Sequence, residues 1–246
     1  MLIPAAELSR YWLLTPPVVV HIGAHEAEEF DEYRRLGWGV DGTVWVEALP
    51  EKAETVRQRV SAGSNQTVLN LVLWDTTGET ITFHEASNGQ SSSALAMKEH
   101  SDLYPQITVT RDREFTTSRL EDALDLDALG AIGLVNLDIQ GAELRALEGF
   151  GRHIDNVSAV YSEVNLREIY EGCAMLPELD EWLGARGFTR VDWEFLDDGW
   201  GDALWLRTNA IPTGRGIGRE SRKRDEKYRN WYNRHPIVGR VFPRPR

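Results

Sequence analysis

Cysteine and long apolar runs are the most conspicuous absences from this chain of 246 residues. A single cysteine, Cys173, excludes an internal disulfide and a zinc site built from cysteines, and it suits a reducing compartment. No apolar run approaches the roughly 20 residues that a membrane-spanning helix requires. The first residues show no basic stretch followed by an apolar core, so no signal peptide is expected. Together these absences predict a cytoplasmic protein.

Positive charge is scarce over most of the chain and concentrated near its end. Residues 211–246 hold 11 Lys+Arg and 3 Asp+Glu, whereas the rest hold 16 and 36. Such an acidic body repels phosphate backbones, which argues against nucleic acid as the substrate. The basic segment carries Tyr228, Trp231 and Tyr232 at helical spacing. It is expected to contact an acidic subunit surface, to lie on an anionic membrane, or to be disordered.

Apolar runs alternate with helical patterns along the chain. Main strands are predicted over residues 18–22, 43–46, 68–73, 132–137, 157–164, 188–195 and 202–207. The last two are joined by a short loop, which is typical of an antiparallel hairpin. We therefore predict an α/β fold: a mostly parallel, seven-stranded, Rossmann-like sheet with a terminal antiparallel hairpin and helices on both faces.

In this interpretation the chain consists of three segments. Residues 1–17 form an N-terminal lead-in, residues 18–210 form the α/β domain, and residues 211–246 form a basic, aromatic tail. Two exposed strands, over residues 79–85 and 107–115, interrupt the α/β alternation within the domain. A polar, serine-rich loop lies between them.

Glycines are too few after the first strand for a dinucleotide fingerprint. The pattern G-x-G-x-x-G uses three glycines to seat a pyrophosphate on a helix N-terminus, and here only Gly23 is present. Glu26, Glu28 and Glu29 crowd the turn where two phosphates would lie. This disfavours NAD and is tolerable for a ligand with a cationic sulfonium and a zwitterionic amino acid. Gly23 itself is interpreted as the point where the ligand approaches the backbone.

Acidic residues follow three of the predicted strands. Glu47 lies 24 residues beyond Gly23, where a carboxylate can accept both ribose hydroxyls of an adenosine group. Asp75 follows the third strand, where it either accepts the adenine amino group or serves as a turn residue. Asp138 ends the next main strand, and Gly141 permits the turn into a helix. Because ligands bind outside the carboxyl ends of parallel strands, these positions predict one site.

The residues around these strand ends resemble the FkbM family of S-adenosylmethionine-dependent methyltransferases. The resemblance rests on Val-x-Ile-Gly-Ala at 20–24, Val-Glu-Ala-x-Pro at 46–50, the serine-rich loop and, above all, Leu-Asp-Ile-Gln-Gly-Ala-Glu at 137–143. It runs from about residue 18 to residue 207. It implies a class I methyltransferase fold, S-adenosylmethionine as cofactor, and O-methylation of sugars, polysaccharides or natural products.

The resemblance also assigns roles to individual residues. It implies that residues around Gly23 hold the methionine end of the cofactor, that Glu47 with Ala48 holds the ribose, and that Asp138 lies near the sulfonium. The neighbours of Gly23 in this assignment are His21, Ala24 and Glu26. Where the family usually has Asp and Asn, this chain has His21 and His25, and Glu26 is the candidate to replace the lost carboxylate.

A hydroxyl acceptor must lose a proton, and a general base contributes roughly 10²–10⁴-fold to such a step. The candidates are Asp138, Glu163 and His25, since an imidazole titrates near neutral pH. Three roles stay open for Asp138: proton acceptor, metal ligand together with Glu163 or Asn165, and cofactor orienter. No metal is predicted.

The acceptor is expected to be a small molecule or a glycan. Residues 163–173 and 200–202 are predicted to form walls of its pocket, because exposed Trp and Tyr faces stack on sugar rings. Two other function classes remain open. One is an NAD-type oxidoreductase, which the missing glycines oppose; the other is a non-catalytic adenosine-binding scaffold, which only His21 and the basic tail support.

Overall fold

The computed structural model describes residues 1–212, so the predicted basic tail lies almost entirely outside the described residues. The strands are β1 Val18–Ile22, β2 Gly42–Glu47, β3 Gln66–Asn70, β4 Val72–Leu73, β5 Thr80–Ala86, β6 Val109–Ser118, β7 Leu134–Leu137, β8 Ala159–Asn165, β9 Phe188–Phe195 and β10 Trp200–Arg207. The α-helices are α1 Ala5–Trp12, α2 Phe30–Leu36, α3 Pro50–Val60, α4 Glu99–Leu103, α5 Leu120–Ala123, α6 Leu126–Leu129, α7 Glu143–Glu148 and α8 Leu176–Gly184. Two 3₁₀ turns cover Gly151–Asn156 and Thr208–Ala210.

A seven-stranded sheet in the order β3-β2-β1-β7-β8-β10-β9 forms the centre of the domain. Every neighbouring pair is parallel except the two that involve β10, which runs antiparallel to both β8 and β9. The predicted α/β class, the mostly parallel sheet and the terminal antiparallel hairpin are confirmed. The strand order reverses between β1 and β7, which creates a crevice at the carboxyl ends of these strands.

Apolar side chains cover both faces of this sheet, as the continuous apolar run of β1 predicts. Val18, Val20 and Ile22 pack into the cluster that receives α7 and α8, whereas Val19 packs into the cluster that receives α1, α2 and α3. The predicted lead-in is part of this second cluster, because Ile3 and the α1 residue Leu8 are fully buried in it. No helix among residues 1–212 is long and apolar enough to span a membrane.

The third predicted strand, residues 68–73, is divided in the structure. β3 pairs with β2 in the main sheet, whereas β4 pairs with β6 in a second sheet of order β4-β6-β5. Leu71 marks the division: its N–H still donates to Glu47, whereas the N–H of Trp74 donates to Ser118. The two exposed strands predicted in the middle of the chain are β5 and β6 of this sheet, paired antiparallel.

The sequence of residues 26–36 has helical character, but in the structure the helix begins only at Phe30. Residues 23–29 form a loop instead, because His25 and Ala27 adopt left-handed conformations with φ of 45° and 54° that a helix does not accommodate. The N–H of Ala27 donates to Ala24 at 2.6 Å and closes a turn. This loop places its side chains around the crevice beside β1.

Candidate active site

A cavity of about 480 Å³ lies at the carboxyl ends of β1, β2, β7 and β8. It occupies the point where the strand order reverses, the place where open α/β sheets bind ligands. The predicted residues that line it are His21, Gly23, His25, Glu47, Ala48, Asp138 and Glu163. Ala24, Glu26 and Asp75 do not line it. Seven of the ten predicted site residues therefore lie on the cavity wall, and three do not.

The backbone at the end of β7 lies so close to position 23 that only glycine fits there. The φ of Gly23 is +86°, and a Cβ atom here would lie 1.9 Å from the carbonyl oxygen of Asp138. The N–H groups of Gly23 and Ala24 both donate to the carbonyl of Val46, at 2.9 and 3.0 Å. The close approach of the ends of β1 and β7 thus gives a steric reason for glycine here, and Gly23 also lines the cavity where the sequence predicts that the ligand approaches the backbone. Ala24 is buried beneath the cavity wall.

Glu47 presents a buried carboxylate at the end of β2. Its two oxygens accept the N–H groups of His25 and Leu49, each at 2.8 Å. Burial raises the pKa of Glu47, and these two hydrogen bonds oppose that rise. Each oxygen keeps a further lone pair for a ligand hydroxyl. Beside it, Leu49, Val72 and Phe83 form an apolar cluster on the cavity wall that suits a flat aromatic ring. The arrangement fits an adenosine group.

His21 belongs to a buried polar network. Its Nδ1 lies 3.2 Å from the Tyr33 hydroxyl and 3.3 Å from the Asn136 amide nitrogen, and its ring stacks on Trp45. Burial lowers the pKa of His21, which favours the neutral ring at pH 7. A carboxylate lies near its other nitrogen, since an oxygen of Glu29 is 3.9 Å from Nε2.

Glu29 thus occupies the position for which the sequence offered Glu26. The Glu26 carboxylate does not line the cavity and pairs with Lys52 at 2.5 Å. Ala27, one of the two left-handed residues of the loop, sets this difference, because it turns the chain between the two glutamates. Sequence spacing alone carries no signal for that turn.

His25 contributes through its backbone and its ring. Its Nδ1 lies 2.6 Å from a carboxylate oxygen of Glu28, and its backbone N–H binds Glu47. Among the described residues, its buried Nε2 has no hydrogen-bond partner. It lies against Gly89, the glycine of the serine-rich loop, which covers this side of the cavity.

Asp138 and Glu163 are brought together by Gln140, a residue that the sequence reasoning did not select. The Gln140 amide nitrogen lies 2.7 Å from Asp138 Oδ1 and 2.5 Å from Glu163 Oε2. Burial, and then the charges of Asp138 and Glu143, raise the pKa of Glu163 well above its usual range. A buried carboxyl group with a raised pKa in a cleft is characteristic of acid–base chemistry.

Asp75 lies away from the cavity. Its carboxylate pairs with Arg145 of α7 at 2.5 Å, and the predicted contact with an adenine ring is wrong for this geometry. The division of the third strand is the cause, because β4 leaves the main sheet just before Asp75. Within residues 1–212, no three His, Cys, Asp or Glu side chains are grouped as a metal site.

Aromatic residues line the end of the cavity beyond Glu163. Trp200 Nε1 donates to the Tyr104 hydroxyl at 2.9 Å, and the His100 ring lies 5.1 and 5.4 Å from those of Tyr104 and Tyr170. Tyr170 and Trp200 come from the two predicted wall segments, residues 163–173 and 200–202, and both lie on the cavity. His100 and Tyr104 come from around α4, which the sequence reasoning did not identify.

Two buried carboxyl groups near the cavity make the stability depend on pH. The Glu143 carboxyl group accepts hydrogen bonds from the backbone N–H groups of Ile139 and Gly141. The Asp202 carboxyl group accepts one from the backbone N–H of Leu2 and one from the Tyr161 hydroxyl. Burial raises the pKa of Glu143, and it raises the pKa of Asp202 to about 6. Since both folded-state values exceed the unfolded ones, the stability they confer is complete below the unfolded pKa and is lost as the pH rises through the folded pKa.

We therefore expect the contribution of these two groups to lower the thermal midpoint as the pH rises from 5 to 8. The corresponding loss in the free energy of unfolding is on the order of 1–3 kcal/mol. Calorimetry across this range measures it. Asp202→Asn removes one titrating group and should reduce the slope, whereas Asp41→Asn, at an exposed position, should not. Because the lowered pKa of His21 acts on the midpoint in the opposite direction, the assignment rests on the variant: an unchanged slope in Asp202→Asn would contradict it.

Comparisons with known proteins agree with this geometry. A family model described as the methyltransferase FkbM domain matches residues 18–190. The 2-O-methyltransferase NoeI of Sinorhizobium fredii (strain NBRC 101917 / NGR234) is 25% identical over 164 residues, which are 63% of this chain and 66% of NoeI. The match thus spans slightly less than two thirds of that relative.

Solved structures with a similar arrangement include two methyltransferases. A SAM-dependent methyltransferase from Aquifex aeolicus has a TM-score of 0.46 at 10% identity, covering 83% of this chain and 89% of its own. TrmK of M. capricolum, solved with S-adenosyl-homocysteine, has a TM-score of 0.42 at 9% identity, covering 83% and 69%. Since the family model covers more than half of the chain, the protein belongs to the FkbM family of methyltransferases, and its cofactor is S-adenosylmethionine.

Proposed function

We propose that this protein transfers the methyl group of S-adenosylmethionine to a hydroxyl oxygen of a sugar, a polysaccharide or a natural product. The observation that carries the proposal is the carboxyl pair Asp138 and Glu163 on the wall of the cavity. A hydroxyl acceptor must give up its proton during transfer, whereas a neutral amine is already a nucleophile. A carboxylate placed beside the acceptor therefore favours oxygen as the methylated atom.

The cofactor supplies an electrophilic methyl group on its sulfonium. In this proposal Glu47 accepts the ribose hydroxyls, and the apolar wall at Leu49 and Phe83 holds the adenine. Glu29 faces the amino group of the methionine end. Fixing both reactants in line contributes on the order of 7–11 kcal/mol to such a displacement.

Glu163 is the preferred proton acceptor of the pair. Its burial and the neighbouring charges raise its pKa, and this makes it a better base near neutral pH than an ordinary carboxylate. Asp138 is more exposed and lies at the end of β7, next to the turn that begins α7. We assign Asp138 to the orientation of the acceptor hydroxyl, with Glu163 removing its proton.

The shape of the far end of the cavity supports a polyhydroxylated acceptor. Tyr104, Tyr170 and Trp200 offer aromatic faces and hydroxyl groups together, the combination that binds sugar rings. The relative NoeI carries the name of a 2-O-methyltransferase, which is consistent with oxygen as the acceptor atom. The acidic body argues against a nucleic acid acceptor.

An acceptor screen with the full-length protein tests this function. Methyl-labelled S-adenosylmethionine is incubated with a panel of glycosides, with deoxy glycosides that lack single hydroxyls, and with amino sugars whose hydroxyls are blocked. We expect label to enter hydroxyl-bearing acceptors and to be lost with one particular hydroxyl. Transfer confined to the blocked amino sugars would contradict O-methylation. An absorbance change with nicotinamide cofactors would support an oxidoreductase instead.

Removal of the Glu47 carboxylate should weaken cofactor binding strongly. Hydrogen bonds to a charged group contribute about 1.5–3 kcal/mol each, so the loss of two predicts at least an approximately 100-fold rise in Kd for Glu47→Ala. Calorimetric titration with S-adenosylmethionine measures this. Glu51→Ala removes an exposed glutamate only four residues away and should leave Kd unchanged. An unaltered Kd in Glu47→Ala would exclude its ribose role.

A further inference from the structure

The Gln140 side chain connects three polar side chains of the cavity wall, those of Asp138, Glu163 and Tyr170. Its amide nitrogen donates to Asp138 at 2.7 Å and to Glu163 at 2.5 Å, and its Oε1 accepts the Tyr170 hydroxyl at 2.6 Å. Both N–H bonds of the amide are thereby used on carboxyl groups. Because Tyr170 donates to Oε1, the orientation of the amide is defined by its partners.

The backbone at Gln140 is held in a conformation that glutamine rarely adopts. Its φ is +58°, in the left-handed region, which costs on the order of 1 kcal/mol for a residue with a side chain. The Ser93 hydroxyl donates to the Gln140 carbonyl at 2.8 Å and holds the turn from the opposite side. Gly141 follows with φ of +102°, and a Cβ there would lie 2.8 Å from the Cys173 side chain. The surrounding chain therefore maintains a strained turn that points this amide at the two carboxyl groups.

We propose that Gln140 is a positioning residue: its amide holds the Asp138 and Glu163 carboxyl groups toward the acceptor, and Tyr170 fixes the orientation of that amide. This inference rests on the proposed function, in which those carboxyl groups orient and deprotonate a hydroxyl. Without the amide, two adjacent carboxyl groups share a proton or turn apart, and neither is then directed at the acceptor.

The physical effect is on the protonation of Glu163. A hydrogen bond donated to a carboxylate stabilises its charged form, so losing the Gln140 bond raises the pH at which Glu163 becomes ionised. Charged or titratable groups face this carboxyl from several elements, and each remains in place when Gln140 is replaced. They are Asp138 after β7, Glu143 on α7, Tyr104 after α4, Tyr170 after β8, Asp202 on β10 and the amine of Met1.

Gln140→Met tests the proposal, because methionine has a similar length and donates no hydrogen bond. In full-length protein with ¹³C-labelled carboxyl groups, nuclear magnetic resonance follows the titration of Glu163, whose signal is assigned by its loss in Glu163→Gln. We expect the Glu163 midpoint to rise by about one pH unit in Gln140→Met, a tenfold change in its ionisation, and less in Tyr170→Phe. Gln58→Met, on the exposed face of α3, serves as control and should show no shift.

Kinetics provide the second measurement. On an acceptor from the screen above, the acid limb of the kcat profile should move to higher pH in Gln140→Met, with an unchanged Kd for S-adenosylmethionine. If Gln140→Met and Tyr170→Phe both leave the Glu163 titration unchanged, the proposal is overturned, even when the wild type methylates hydroxyls. If the wild type methylates no hydroxyl, the proposed function fails, while the titration still decides whether Gln140 holds the carboxyl pair.

Discussion

Replacing Gly23 by alanine is expected to reduce methyl transfer strongly and to destabilise the domain by on the order of 3–5 kcal/mol. Two costs combine in this variant. An alanine at φ of +86° is strained, and its Cβ would lie 1.9 Å from the carbonyl oxygen of Asp138. That oxygen belongs to the backbone, so relief requires the end of β7 to move. Since Asp138 moves with it, a displacement near 1 Å is expected to reduce transfer by about 10²-fold or more.

Gly78→Ala separates these two costs. Gly78 also has a left-handed φ, of +91°, but its Cβ position has no atom within 4 Å. We expect Gly78→Ala to lose only about 1 kcal/mol, and to retain full activity. Urea unfolding gives both free energies, and calorimetry gives the affinity for the cofactor. Equal losses in the two variants would show that the contact with Asp138 contributes nothing.

Glu163→Gln is expected to lower kcat by roughly 10²–10⁴-fold without lowering stability. The amide has nearly the same shape as the carboxyl group but accepts no proton at neutral pH. Because burial raises the pKa of Glu163, its ionised form is unfavourable inside the protein. The variant should therefore be at least as stable as the wild type at pH 8. Loss of turnover with retained stability identifies a catalytic role.

The pH dependence sharpens this prediction. In the wild type, kcat should rise with pH as Glu163 ionises, and that limb should disappear in Glu163→Gln. Asp138→Asn should keep the limb and lower its plateau, because Asp138 orients the acceptor. Glu114→Gln, at an exposed position on β6, is the matched control. A Glu163→Gln variant with wild-type kcat would assign the proton transfer elsewhere, with His25 as the remaining candidate.

The sheet and the strand-end acids were predictable because they follow from periodicity. The continuous apolar run at residues 18–22 predicts a strand buried on both faces, and parallel strands place Glu47 and Asp138 at one edge. For Gly23 the structure adds a second reason to the predicted approach of the ligand. This second reason is a contact with Asp138, more than a hundred residues away, which no local pattern contains.

The remaining differences arise where tertiary contacts determine the path of the backbone. Asp75 leaves the cavity because Val72 and Leu73 pair with β6, and their apolar sequence suits either sheet equally well. Glu29 lines the cavity and Glu26 does not, because the loop turns at Ala27. Both Ala27 and His25 adopt left-handed conformations there, which non-glycine residues rarely do. Gln140 was present in the motif that suggested the family. Its role depends on Glu163 and Tyr170, which approach it only in the folded chain.

The position of β10 has a consequence for how this chain is made. Among the strands of residues 1–212, β10 is synthesised last, yet it lies between β8 and β9 and forms every ladder contact that joins β9 to the sheet. During synthesis, β9 therefore has no strand to pair with, and the edge of β8 stays unpaired, until residue 207 has left the ribosome. Nascent chains that stop before β10 expose two unpaired edges, a hazard for aggregation. The domain is thus completed only when its last strand is inserted.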